Sequence, residues 1–516
     1  MPVQPDGASA NAGERAQRRP GDLSTLTDIE SSPLVSRSAA ASQPQFEKLD
    51  PKQIGIEFYH RWNEQLGLNR NTATGSGVAM GDYDGDGLVD VFLPRTTDGG
   101  RLYRNLGEFR FEDVTEKSGI GAGTGRWTLG ATFADVDNDH DLDLYVCGYR
   151  CPNHLYINRG DGTFEERAEQ FGLNFRGASV MMAYADYDLD GDLDGYLVTN
   201  HDPPPKDIEY RLEFDQRGIP QVPQQYREFH DTLLLPEGDY GVIEVGQYDH
   251  LYRNNGDGTF TDVSAPAGMR GNGKGLAATW WDYDNDGHPD LYVANDFYAP
   301  ECLYRNNGDG TFTDVAAEVL PHTPWFSMGC DVGDINNDGL FDFIATDMSE
   351  RTTYRSKVSM NDMYDDGWFL ERPVPRQYMR NAMYLNTGTG RCLETALLTG
   401  LDSSGWTWSA RFVDLDQDGR VDLHITNGMT RDWSNSDHKR ESIRHGPVNS
   451  RPFTLYWDQQ PPLAQANLAF RNLGGLRFED VSAAWGLDEA GVSFGAAFGD
   501  LDGDGDLDLV INNLDA

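Results

Sequence analysis

Beyond its first 45 residues the chain alternates short apolar runs with turns rich in Asp and Gly. The runs VFL, LYV, GYLV, LYV, FIA, LHI and LVI each follow such a turn. Apolar runs this short, rich in Val, Ile, Leu and Tyr and bounded by turn residues, predict β-strands rather than helices. A second pattern falls between them. It reads LYRNLGEFRFEDV from Leu102, LYINRGDGTFEER from Leu155, and LYRNNGDGTFTDV from Leu251 and again from Leu303. A drifted copy, MYLNTGTGRCLET, carries Tyr384 and Asn386, and FRNLGGLRFEDV starts at Phe470. Each is two β-prone runs around a Gly-rich turn, which predicts a hairpin. One repeat is therefore expected to hold four strands.

The turns before the strands share the form D-x-[DN]-x-D-[GH]-x-x-D. The ligand-type positions are Asp82, Asp84, Asp86 and Asp90 in the first copy, and Asp135, Asp137, Asp139 and Asp143 in the second. They are Asp186, Asp188, Asp190 and Asp194 in the third, and Asp282, Asp284, Asp286 and Asp290 in the fourth. The fifth has Asp334, Asn336, Asp338 and Asp342, and the sixth Asp414, Asp416, Asp418 and Asp422. Asp500, Asp502, Asp504 and Asp508 make the seventh. Carboxylates at positions 1, 3 and 5, a turn-forming Gly at 6 and a closing carboxylate present hard oxygen ligands in high number, which favours Ca²⁺ over Mg²⁺ or zinc. An EF-hand opens the same way but closes on Glu at position 12 between helices. Here Asp closes at position 9 and strands flank the loop, so up to seven Ca²⁺ ions are expected. His140 stands in place of Gly in the second loop and Asn336 in place of Asp in the fifth, and both loops are expected to bind more weakly.

Composition changes the picture in one respect. The net charge is −42, from 84 acidic and 42 basic residues, and 30 of the acidic ones lie in the loops. Seven divalent ions would bring −42 to −28. Such a charge excludes nucleic acid and anionic lipid as general partners. No apolar run is long enough to span a membrane. The five cysteines (Cys147, Cys151, Cys302, Cys330 and Cys392) form neither a disulfide scaffold nor a zinc pattern, and a Cys147–Cys151 bridge stays open. Motifs for a serine hydrolase elbow, a P-loop, a zinc protease or a dinucleotide fold are missing.

Loop starts are 53, 51, 96, 52, 80 and 86 residues apart. The shorter spacing suits a propeller blade, and the excess predicts insertions near 201–247, 348–380 and 429–466. The expected fold is all-β, a seven-bladed β-propeller over 46–516 after a disordered leader, 1–45, that shows no signal peptide. FEKLDPKQIGIEF (46–58) looks like a hairpin tail without a loop before it, while the seventh loop lacks a hairpin after it. The N-terminal segment is thus expected to complete the last blade, so that no sheet edge stays open. One hairpin strand is left unaccounted for, which predicts chain beyond Ala516.

The loops resemble the FG-GAP/VCBS repeats of integrin α-subunit propellers. With the LYRNNGDGTFTDV hairpins, LYVAND, LHITNGM and QYMRNAMYLNTG, the arrangement from 46 to 516 resembles the cartilage acidic protein (ASPIC/UnbV) family. That resemblance implies a secreted or periplasmic protein with adhesion or matrix roles, often with a small C-terminal domain that is not seen here.

If the strands after the loops are the inner ones, their ends ring a central channel on the face opposite the calcium loops. His201, Asp202, Asp296 and Asp347 lie there and are candidates for a second site for a metal or a polar ligand; the alternative is that they only cap strand ends. The inserts add Tyr210, Arg211, Tyr226, Arg227, Tyr354, Arg355, Trp368, Trp433 and Trp457 as exposed contact residues for a protein or carbohydrate ligand. The leading expectation is a calcium-binding module that presents its inserts to such a ligand. The alternatives are an enzyme, or an accessory protein of a biosynthetic complex, acting at the channel mouth.

Overall fold

The computed structural model describes residues 45–58, 75–96, 99–121, 127–202, 211–234, 240–269, 271–297, 299–359, 375–448 and 450–514. All of them belong to the compact unit Ala39–Ala516. The leader up to Pro44, Tyr210 and Trp368 lie outside the described residues.

The unit is mostly β, and the four-strand repeat appears as antiparallel four-stranded modules. The first runs Ala79–Gly81, Asp90–Arg95, Gly99–Asn105, Phe111–Asp113; the second Thr128–Ala134, Asp143–Pro152, His154–Asn158, Phe164–Glu166. Arg176–Ala185, Asp194–Thr199, His250–Asn254 and Phe260–Asp262 form the third, joined to the second where Tyr149 pairs with Gly177 and Ala178. The fourth is Lys274–Trp281, Asp290–Asp296, Cys302–Asn306, Phe312–Asp314, and the fifth Cys330–Gly333, Asp342–Ala345, Ala382–Asn386, Cys392–Glu394. The sixth is Thr407–Val413, Asp422–Asn427, Leu468–Asn472, Phe478–Asp480; the seventh pairs Ser493–Gly499 with Asp508–Asn513.

Each metal-type loop joins the first strand of its sheet to the second, and its ninth residue faces the end of the first strand, as in Ala185↔Asp194 and Trp281↔Asp290. The second strands are buried on both faces in the first six sheets, as runs such as DLYVAND require. Leu291 and Tyr292 are wholly enclosed, and burying side chains of this size is worth about 1.5–3 kcal/mol each.

One expectation is corrected here. The strand after the loop is second in its sheet, not the edge on which neighbouring sheets converge. That edge is the strand before the loop: Gly77 N donates to Leu129 O, and Gly495 N to Ser76 O. A Cβ on Gly130 would lie 2.2 Å from Val180 O, and one on Gly495 2.6 Å from Gly77 Cα. Only glycine permits so close an approach.

The Asn that ends each LYRN-type strand links one sheet to the one before it. Asn158 Nδ2 donates to Tyr83 O, Asn254 to Val136 O, Asn306 to Tyr187 O, Asn386 to Tyr283 O and Asn472 to Ile335 O, all at 2.7–2.9 Å. Asn105 reaches Leu501 O of the seventh sheet at 2.8 Å, and Gln45 Nε2 reaches Leu415 O of the sixth at 2.6 Å. The seven links return to their start. Phe46 N bonds Trp485 O, and Ile54 O accepts from Phe111 N, just as Ser118 O accepts from Phe164 N between the first two sheets. Residues 46–58 thus stand where the other sheets carry their fourth strand and its tail.

The inserts leave from the ends of second strands, at the opposite end of the sheets from the loops. The first holds two small hairpins, Glu213–Phe214 with Pro220–Gln221 and His230–Leu234 with Tyr240–Glu244. The second contributes the helix Thr353–Ser359, and Gln377–Tyr378 pairs in parallel with Thr323–Pro324. The third is a helix pair, Ser436–His445 and Arg451–Asp458. Trp457 is buried against Trp433, with ring centroids 4.7 Å apart, so these two aromatics hold the helix pair down rather than facing a ligand. Tyr354 is exposed. All five cysteines are unbridged, and Cys147 is buried.

Candidate metal centres

The first six loops are wired the same way, and the seventh departs from them at Asp500, whose Oδ1 accepts from Gly503 N. In the third, Asp186 Oδ1 accepts from Asp190 N and its Oδ2 from Gly191 N, while Asp190 Oδ1 accepts from Asp192 N. Asp194 then closes the loop, with Oδ2 accepting from Tyr187 N at 3.2 Å and Oδ1 from Asn254 N at 2.8 Å. The closing pair recurs at Asp90, Asp143, Asp290, Asp342 and Asp422. In the seventh loop Asp508 Oδ2 accepts from Leu501 N.

This wiring turns the carboxylates toward one another. Oxygens of Asp135, Asp137 and Asp143 lie within 4.8 Å of each other, as do those of Asp186, Asp188 and Asp194, of Asp282, Asp284 and Asp290, and of Asp414, Asp416 and Asp422. Asp82, Asp84 and Asp86 do the same in the first loop. Burial, then repulsion from loop neighbours, raises the proton affinity of Asp84, Asp137, Asp188 and Asp284. Burial pushes the closing carboxyls to about 7 at Asp90 and Asp290 and about 8 at Asp194. Asp84 Oδ1 and Asp416 Oδ1 are enclosed without any hydrogen-bond donor. Orphaned, mutually repelling oxygens in an all-oxygen cage fit a hard divalent cation.

Two loops also receive an arginine from the LYRN strand. Arg104 lies 2.5 Å from Asp84 and 2.8 Å from Asp86, and Arg471 lies 2.6 Å from Asp416. His140 adopts φ 76°, where the glycines of the other loops have 85–95°. The fourth position is left-handed as well, even at Leu189, φ 59°. Asn336 is turned onto its own loop, with Nδ2 donating to Asp338.

The repeat pattern is shared with known proteins. An FG-GAP-like repeat matches at residues 82–146, 142–197, 238–293 and 282–345. The chain carries FG-GAP-like repeats. The sixth and seventh loops lie outside the matched stretches. The chain is also a distant homologue of cartilage acidic protein 1. It is 21% identical to the Homo sapiens protein over 287 residues, which is 50% of this chain and 41% of that one. The Xenopus tropicalis protein is 22% identical over 274 residues, 52% of this chain and 36% of the other. The matches span less than half the length of these relatives. Among solved structures, an Agrocybe aegerita lectin that recognises non-reducing terminal N-acetylglucosamine is similar at 14% identity. The likeness covers 86% of both chains with a TM-score of 0.41.

Of the four residues singled out on the face opposite the FG-GAP-like loops, two pairs emerge. His201 Nδ1 contacts Val245 O at 3.0 Å, and Asp202 pairs with Arg150 at 2.5 Å. Asp296 and Asp347 lie on the fourth and fifth sheets, and burial and then the Asp347 charge raise the Asp296 carboxyl against the opposing pull of Lys274. Lys274, paired in register with Asp296, stands between the two groups. Sequence reasoning missed Glu301, which is buried and near enough to Asp347 to feel its charge. The signal was there in its register: Asn153, Asp249, Asn381 and Asn467 occupy the same place in other sheets, one residue before the third strand's first paired residue.

Proposed function

We propose that the chain is a seven-bladed, calcium-loaded β-propeller that works outside the cytoplasm as a binding module for a protein or glycan. The observation that carries this reading is the sevenfold repetition of one wired carboxylate loop, with orphaned oxygens where a cation belongs. Extracellular calcium, at 10⁻⁴–10⁻³ M, is the range in which such modules fill. Metal that binds only the folded chain stabilises it by mass action, so the calcium is read as a staple and the ligand surface as the face that bears the inserts. Rigid scaffolds present function on such loops. The test is twofold. A thermal melt with and without EGTA should show a marked fall of Tm in the chelator. A glycan and protein array should then give hits that vanish when 201–247 is replaced by a short turn in a variant that keeps its calcium-dependent melt. No hits with the intact protein, together with turnover of a small molecule, would favour the enzymatic alternative.

A further inference from the structure

In each of the first six loops both oxygens of the first and the closing carboxylate accept backbone N–H groups, as at Asp186 and Asp194. The interior between the fourth and fifth sheets is not satisfied in this way. In four sheets the residue before the third strand accepts a hydrogen bond from the end of the second strand. Gly148 N donates to Asn153 Oδ1, Thr199 N to Asp249 Oδ1, Asp347 N to Asn381 Oδ1 and Asn427 N to Asn467 Oδ1, at 2.7–3.0 Å. The fourth sheet has Glu301 at that place, 1% exposed, and neither of its carboxylate oxygens makes a hydrogen bond of ordinary geometry. The hydroxyls of Thr323 and Ser327, both fully buried and without a hydrogen bond of ordinary geometry, are turned toward it closely enough to favour its charged form.

Two more carboxylates join it. Asp347 is fully buried; its Oδ2 accepts from Trp325 N at 2.8 Å and Phe326 N at 3.2 Å, but its Oδ1 is enclosed with no partner. Asp296 keeps part of its surface in solvent, yet its Oδ1 is enclosed and likewise unpartnered. The charge of Asp347 acts on both of the others, and Phe326, whose N–H bonds Asp347, forms a β-bridge with Asp296. Lys274 is the cation that faces Asp296, and it is shared with Glu244 at 3.7 Å. Burial raises all three carboxyls, to about 7 at Asp296, about 8 at Glu301 and about 6 at Asp347. Three carboxyls against one divided lysine must either take up protons or share a counter-ion, and the enclosed oxygens left without a donor leave room for the second.

We propose that Asp296, Glu301 and Asp347, with the Thr323 and Ser327 hydroxyls, hold one hard divalent cation in a site separate from the seven loops. The donors are all oxygens, with no imidazole or thiolate among them, which selects calcium or magnesium over zinc or copper. The site differs from the loops in kind. Its ligands come from five separated positions on two sheets and the 323–328 segment, so the ion ties the fourth sheet to the fifth at the end of the sheets from which the inserts leave.

Native mass spectrometry of the full chain, equilibrated with calcium alone and then with magnesium alone, reads the number of ions bound. The Glu301→Gln and Asp347→Asn variants, checked for a cooperative melt, are expected to carry one ion fewer than the natural protein in the same buffer. An Asp284→Asn variant controls for loss at a loop. Should Glu301→Gln fail to fold, Ser327→Ala serves instead, with a weakened ion whose dissociation constant rises at least tenfold. An ion count that is the same in the natural protein and in the folded variants overturns the proposal, as does a Glu301→Gln protein that melts higher than the natural one at equal ion count. The outcome is independent of the loops: a chain whose loops stay empty but which loses one ion on Glu301→Gln keeps this site and refutes the other.

Discussion

The third sheet and the seventh are built on the same loop but finished differently. In the third, Asp194 accepts a backbone N–H from its own loop and another from Asn254 on the third strand. In the seventh, Asp508 accepts from Leu501 N, and among the described residues no third strand pairs with Asp508–Asn513. The consequence shows in burial. Asp194–Thr199 is buried at every position, whereas Asp508–Asn513 is mostly half-buried. The seventh sheet is instead held from the other part of the chain: Gln45 makes the link that an Asn makes elsewhere, and Phe46, Ile54 and Ile56 pack onto its neighbours' cores. The comparison separates two jobs that are fused in the other six sheets. The loop orders the carboxylates by itself, and the third strand adds burial and the link to the preceding sheet.

That separation can be tested by subtraction. Deleting 45–58 removes the apolar anchors Phe46, Ile54 and Ile56 and the Gln45 link, and should cost roughly 3–6 kcal/mol in chemical denaturation. A loss under about 1 kcal/mol would mean that the ring does not depend on this closure. Asp194→Ala strands two buried N–H groups, at about 1–3 kcal/mol each, and abolishes the ion of its loop. Asp508→Ala should cost about half as much, and equal losses would erase the distinction between the sheets. Gln45→Ala removes a single link and should cost about 1 kcal/mol, read from the same denaturation midpoints. Smallest is a gain: His140→Gly relieves a left-handed residue and should stabilise the second loop by about 1 kcal/mol while tightening its calcium.

The loops and hairpins were legible because both are local. Nine residues carry the whole Asp–Asp–Asp–Gly–Asp arrangement, and the Gly at position 6 announces its own φ. The closure at 46–58 was legible for a related reason, since FEKLDPKQIGIEF keeps the Phe that bonds Trp485 after the sixth sheet and the Gly that lies against Phe111 of the first. What escaped depends on partners far away in sequence. The Asn of LYRN reads as a turn residue until it is seen donating to Leu501, 396 positions on. The choice of the pre-loop strand as the converging edge was hidden because glycines such as Gly130 look like weak strand positions, not contacts. Trp457 looked like a ligand-facing aromatic because its burial comes from Trp433 across an insert. Glu301 carried no motif at all, and stands out only when the sheets are superposed in register.

The central claim is that the FG-GAP-like loops hold calcium, and counting the metal tests it most directly. Elemental analysis of protein at dialysis equilibrium with millimolar calcium, measured against the dialysate, should find several calcium ions per chain above the buffer, with up to seven in the loops, and EGTA should strip them. A chain that retains no calcium before chelation would contradict the account.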